Sequence, residues 1–139
     1  MKRLKDESDF DLLTGPVPVR SKMWRATHYA GLDRGIRFAV RVLHAYGIET
    51  CQSCQGGEGH SYDHPTVDLS SGSERDTDGL KAVACLAEYD LPVRTLAMLW
   101  SLDKRGLPYE RIWRITFRHT MEARADEAPM FVWGYQTRR

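Results

Sequence analysis

A chain of 139 residues with 42% hydrophobic and 28% charged side chains has the composition of an ordinary globular protein, at a length where single domains centre, roughly 100–150 residues. Twenty basic against nineteen acidic side chains leave a formal charge of +1. That balance excludes a global field drawing the chain to nucleic acid or membrane, and equally an acidic surface imitating a phosphate backbone.

Residues 1–25 join charge to a Gly15-Pro16-Val17-Pro18 break and read as a loosely ordered N-terminal arm. From Asp33, Ile36, Ala39, Val40 and Leu43 recur at helical spacing, and Gly47 ends the pattern. Ile48–Cys54 and Thr66–Ser70 are short β-branched runs joined by a glycine-containing loop, which predicts two strands. The capping-rich Ser71–Asp78 precedes a second helical stripe, Leu80, Val83, Ala84 and Ala87, which Leu91-Pro92 stops. Val93–Leu102 and Glu110–Arg118 alternate with period two around Asp103-Lys104-Arg105-Gly106, the composition of a hairpin turn.

The expected fold is therefore α+β, a two-layer sandwich in α-β-β-α-β-β order. Its mostly antiparallel four-stranded sheet carries both helices on one face, as the core domain 26–119. Trp113, Ile115 and Phe117 face one way and Arg114, Thr116 and Arg118 the other, so the second face meets water or a partner. In the tail, 120–139, Met121–Ala128 suits a short helix. Pro129–Tyr135 is an extended apolar run expected to pack on the core or to reach a partner subunit, with a homodimer through tail or sheet face as one outcome. The tryptophans at 24, 100, 113 and 133 read as core and tail anchors, and Cys85 as a buried hydrophobe.

Met1–Phe10 lacks the apolar core of a signal peptide, and no run approaches a membrane span. Three cysteines, an odd count, suit reduced thiols. The expected location is the cytoplasm, with no membrane partner.

Polar, nucleophilic and glycine residues concentrate in Thr50–Pro65. Cys51, Cys54, His60 and His64, spaced C-x2-C-x5-H-x3-H, could close a tetrahedron around zinc if a turn at Ser53 brought both sulfurs to one side. Alternatively, Gln55–Gly59 is a loop whose φ > 0 glycines form a nest of N–H groups for an anion. His60 stands at its rim, and cations come from Arg34, Arg37, Arg41 and His44 on one helix stripe and from Arg114 and Arg118 on a strand. The same residues also suit a plain long turn and a solvated helix face. A third reading makes Cys54 a nucleophile, with His60 or His64 as base and Asp63 as orienter.

The stretch Gly47–His60, followed by Pro65-Thr66-Val67, resembles small uncharacterised proteins encoded by phages and bacteria, the likeness running from about Gly31 to Arg118. The signature T-x-x-S-C-x-G-G-x-G-H is met by Thr50, Ser53, Cys54, Gly56, Gly57, Gly59 and His60; Cys51 and His64 stand outside it. Ser53-Cys54-Gln55-Gly56 is also similar to the Ser-Cys-x-Gly turn of tRNA wybutosine-synthesis methyltransferases. The first resemblance implies a phage-type accessory protein in a host cytoplasm and supplies no reaction.

The leading expectation is a binding protein without a cofactor. It holds a small phosphate-bearing ligand, such as a nucleotide, through Thr50, Ser53, Cys54, Gln55, Gly56, Gly57, Gly59, His60, Arg114 and Arg118, and a phage origin would turn it against host defence or nucleotide signalling. The alternatives are a protein-interaction module or inhibitor docking on a host enzyme, and a small zinc domain.

Overall fold

The structure, a computed structural model, describes residues 26–70 and 75–129. The arm 1–25, the start of the capping-rich stretch at 71–74 and the apolar run from Met130 lie outside the described residues. Among the described residues no helix is long and apolar enough to cross a membrane.

A short helix α1 (Ala26–Ala30) leads into α2 (Arg34–Ala45), β1 (Thr50–Cys54), β2 (Thr66–Leu69), α3 (Asp76–Glu88), β3 (Val93–Leu102), β4 (Pro108–Phe117) and a 3-10 turn at Glu122–Arg124. The expected α+β order is found, with α1 added in front. The strands form one antiparallel sheet in the order β1-β2-β4-β3.

Ile36, Ala39, Val40 and Leu43 of α2 are at most 1% exposed. They join Val67 and Leu69 of β2, Ala82, Cys85 and Leu86 of α3, and Ile115 and Phe117 of β4 in one core. The period-two alternation of β4 thus places its apolar side under the helices, as binary patterning requires. A Cβ at Gly79 would lie 2.7 Å from the Trp113 ring, so the missing side chain in mid-helix lets α3 settle on that indole, whose Nε1–H donates to the Arg75 carbonyl at 2.9 Å.

The β3–β4 turn is built on Asp103, whose carboxylate accepts the Arg105 N–H at 2.8 Å and the Leu107 N–H at 3.0 Å. β2 pairs with β4 only from Thr66↔Thr116 to Asp68↔Arg114. Beyond that point the hairpin is two-stranded, and Trp100, Leu102 and Tyr109 are exposed. Trp100 is thus no core anchor: the helix layer ends before it, and its ring lies beneath the Arg111 guanidinium instead.

The basic stripe of α2 is solvated at Arg34, whose side chain is 54% exposed, but not at Arg41 and His44. α1 lays Tyr29 over it, Arg41 sits 4.4 Å from that ring, and Arg41 and His44 are 1% and 0% exposed. His44 shares hydrogen bonds with Tyr29 Oη at 2.8 Å and Thr50 Oγ1 at 3.1 Å, tying α1 and α2 to the start of β1. Burial, reinforced by the Arg41 charge, lowers its pKa from 6.5 to about 3. An unfolded chain takes up this proton near 6.5 and the folded one only near 3, so the stabilisation is complete above 6.5 and fades as pH falls. We expect stability to drop by about 1.4 kcal/mol per pH unit from this residue below that point. Urea denaturation of wild type and His44→Gln between about pH 7 and 5 checks it: the variant has the shallower pH slope.

Candidate functional site

β1 continues through Ser53 to Cys54 without a turn, and the chain then turns back through three glycines at positive φ, Gly56 (76°), Gly57 (95°) and Gly59 (82°). The crossing is tightest at Gly56, where an added Cβ would lie 2.3 Å from the His64 carbonyl carbon. Gly57 N–H closes the loop onto the carbonyls of Tyr62 and Asp63 at 2.9 and 3.1 Å, and His60 N–H donates to Gly57 O at 3.1 Å. The loop is then strapped to the far sheet face. Tyr62 lies beneath the Arg114 guanidinium, 4.8 Å from its ring centroid, and its hydroxyl is bonded by Arg114 at 3.1 Å and Gln52 at 2.6 Å. Arg114 is in turn clamped by Asp68 through bonds of 2.8 and 3.0 Å, and those bonds raise its pKa. The chain's own loop therefore covers part of the face expected to meet water or a partner.

This path carries His60 back over Cys54. Cys54 Sγ and His60 Nδ1 are 3.6 Å apart, and the same Nδ1 is 3.6 Å from Asp33 Oδ2. The three donor atoms all lie within 4.8 Å of one another. Asp33 occupies the N-cap position of α2 without making a side-chain cap bond; its carboxylate instead accepts the Gln55 N–H at 3.2 Å. Cys54 is 8% exposed and accepts the Gly56 N–H at 3.4 Å, whereas the His60 and Asp33 side chains are 30% and 41% exposed. The sulfur forms the floor of the site and the other two donors its rim.

A fourth residue closes the arrangement from behind. Gln55 Oε1 accepts the Gly35 N–H at 2.9 Å, and Gln55 Nε2 is 3.2 Å from His60 Nε2. Gly35 allows this approach, since a Cβ there would lie 2.9 Å from both Cβ and Oε1 of Gln55.

Of the sequence-predicted residues, the structure brings Cys54, Gln55, Gly56 and His60 together and spreads the others. Cys51 sits at a register shift in β1, donates to Leu69 O at 3.3 Å, and has its thiol pKa raised by burial and by the Asp68 charge. His64 pairs with Arg94 at 2.6 Å. Neither belongs to the donor cluster around Cys54. Thr50 bonds His44, Ser53 pairs with Val67 in the β1–β2 ladder, and Arg118 donates to Val93 O. Arg34 and Arg37 both reach Asp126. Of the loop's N–H groups, those of Gln55, Gly56, Gly57 and His60 already have acceptors within the chain.

The carboxylate beside His60 is Asp33 and not Asp63. Asp33 carries no local signal for this role, because an aspartate ahead of a helix reads as a cap and 21 positions separate it from Cys54. A cavity of about 270 Å³ lies alongside β1, lined by Leu32, Val40, Thr50, Cys51, Gln52 and Ser53, and contains none of the three donors. Comparison with family models, with curated proteins and with solved structures finds no match to this chain in any of the three.

Proposed function

We propose that this protein binds a divalent transition-metal ion through Asp33 Oδ2, Cys54 Sγ and His60 Nδ1, leaving one coordination position for water or an incoming oxygen ligand. The observation that carries this is the spacing of the donors. Bond lengths of about 2.3 Å to sulfur and about 2.0–2.2 Å to nitrogen and oxygen give tetrahedral edges of roughly 3.3–3.6 Å; the two edges at Nδ1 are 3.6 Å, and the third, from Cys54 to Asp33, falls within 4.8 Å. Three protein ligands with an open fourth position is the pattern of working rather than purely structural zinc sites. A thiolate, an imidazole and a carboxylate together suit zinc or a neighbouring late first-row ion better than magnesium or calcium.

The nucleophilic-thiol reading shares Cys54 and His60 with this site, but it needs His60 Nδ1 to accept the Cys54 proton. Gln55, its oxygen committed to Gly35 N–H, turns an N–H toward Nε2 and so leaves Nδ1 as the donor. Undoing that arrangement costs about 1–3 kcal/mol. Zinc binding contributes about 10–16 kcal/mol in four-ligand sites, and even part of that outweighs the cost, whereas a proton transfer within the pair brings no comparable gain.

A phosphate-bearing ligand fits this reading by coordinating the ion directly, since the loop's N–H groups are largely occupied within the chain. The test is equilibrium dialysis of the purified full chain against zinc, followed by metal quantification. We expect about one zinc per chain at saturation; no retained zinc rejects the proposal.

A further inference from the structure

Coordination requires a lone pair on Nδ1, the imidazole nitrogen that faces Cys54 and Asp33. In a neutral imidazole one nitrogen carries the proton and the other accepts, so the partner of Nε2 decides whether Nδ1 is available. That partner is the side-chain amide of Gln55. Which end of the amide faces His60 is settled by Gly35, whose backbone N–H can only donate and lies 2.9 Å from Oε1. The amide NH2 therefore points at Nε2, Nε2 accepts, and the proton resides on Nδ1. An imidazole bound to metal through Nδ1 carries its proton on Nε2, where it would meet the N–H of Gln55 head-on.

We infer that Gln55 is a lock on the metal centre: in the metal-free chain it holds His60 in the tautomer that cannot coordinate, and an ion enters only by displacing the Gln55 amide. This rests on the metal reading above and adds its regulation. The lock is built from backbone on both sides, because the Gln55 N–H also holds Asp33 at 3.2 Å while its side chain reaches Gly35 at the start of α2. Metal loading thereby loosens a connection between β1 and α2, and the site exchanges its ion more readily than the same three ligands backed by an acceptor. Metal-bound histidines ordinarily give their second N–H to a carboxylate or carbonyl, and losing such a partner typically weakens binding about 10–100-fold.

Gln55 is a positioning residue, and two substitutions separate its hydrogen bonding from charge. Gln55→Glu accepts from both Gly35 N–H and His60 Nε2–H; Gln55→Met keeps the length of the side chain, removes the opposing N–H and adds no charge. In zinc titrations against a competing chelator we expect Gln55→Glu to bind about 10–100-fold more tightly than wild type and Gln55→Met to be severalfold tighter. Nitrogen-15 NMR of the metal-free imidazoles, with His60 assigned by its absence in His60→Gln, should place the proton on Nδ1 in wild type and on Nε2 in Gln55→Glu.

Wild-type His60 protonated on Nε2, or both variants binding zinc no more tightly than a wild type that does bind, overturns the lock and leaves the metal centre standing. No zinc bound by any of the three proteins removes the metal centre and the lock with it.

Discussion

Replacing Cys54 with serine lowers zinc affinity by at least about a hundredfold and leaves the fold in place. The lower bound follows from outer partners of metal ligands, whose loss already costs about 10–100-fold; losing the only sulfur donor of a three-ligand site costs more, because a serine hydroxyl does not ionise to match a thiolate at neutral pH. The fold survives because Cys54 lies at the end of β1, outside the cluster that joins α2, α3 and the sheet, and the exchange preserves shape. Isothermal titration with zinc gives the affinity and thermal denaturation the stability. A Cys54→Ser protein that binds zinc like wild type places the ion elsewhere.

A second large effect is expected at Gly56. With φ at +76°, alanine there suffers left-handed strain of about 1–2 kcal/mol. Its Cβ would also lie 2.3, 2.6 and 2.7 Å from the His64 carbonyl carbon, its oxygen and the Pro65 nitrogen, and these backbone atoms cannot swing aside as a side-chain tip can. Gly57 is the control: it has φ of +95° but nothing within 4 Å of an added Cβ. Gly57→Ala should thus lose only the strain, whereas Gly56→Ala should lose more than about 3 kcal/mol in total, a range that single changes rarely reach. At very roughly 4 °C per kcal/mol for a chain of this size, a difference in Tm of several degrees should separate them. Gly56→Ala should also weaken zinc binding, because the crossing that returns His60 to Cys54 is pushed open. Equal Tm losses in the two variants contradict this account of the crossing.

The two variants also show how much of this protein was legible in its sequence. The apolar stripe of α2, the alternation of β4 and the Asp103–Gly106 turn were readable because each is a local period or a local turn chemistry. The meeting of Cys54 and His60 was approachable for the same reason, since a few glycines between them fold the chain back on itself. Asp33 was not, because its role is fixed by the packing of α2 against β1, which no local pattern encodes. Arg41 and His44 misled for the opposite reason. They share a stripe with Arg34 and Arg37, and only the arrival of Tyr29 on α1 makes half of that stripe interior. Trp100 alternates as faithfully as Trp113, but the helices cover one and not the other.

The paired role of Gln55 was invisible for a further reason: an amide is equally suited to donate or accept, and only the Gly35 N–H decides which end faces His60. Position along the chain made Gln55 a loop residue. Its neighbours in space make it the counterpart of the imidazole.

The most direct measurement is the electronic spectrum of the full chain titrated with cobalt(II), which reports both ligand type and geometry. A centre built from Asp33, Cys54 and His60 predicts intense visible bands of a tetrahedral ion and a sulfur-to-cobalt charge-transfer band that saturate at about one equivalent, the latter missing in Cys54→Ser. A weak octahedral spectrum without the sulfur band, or a sulfur band that persists in Cys54→Ser, contradicts the account.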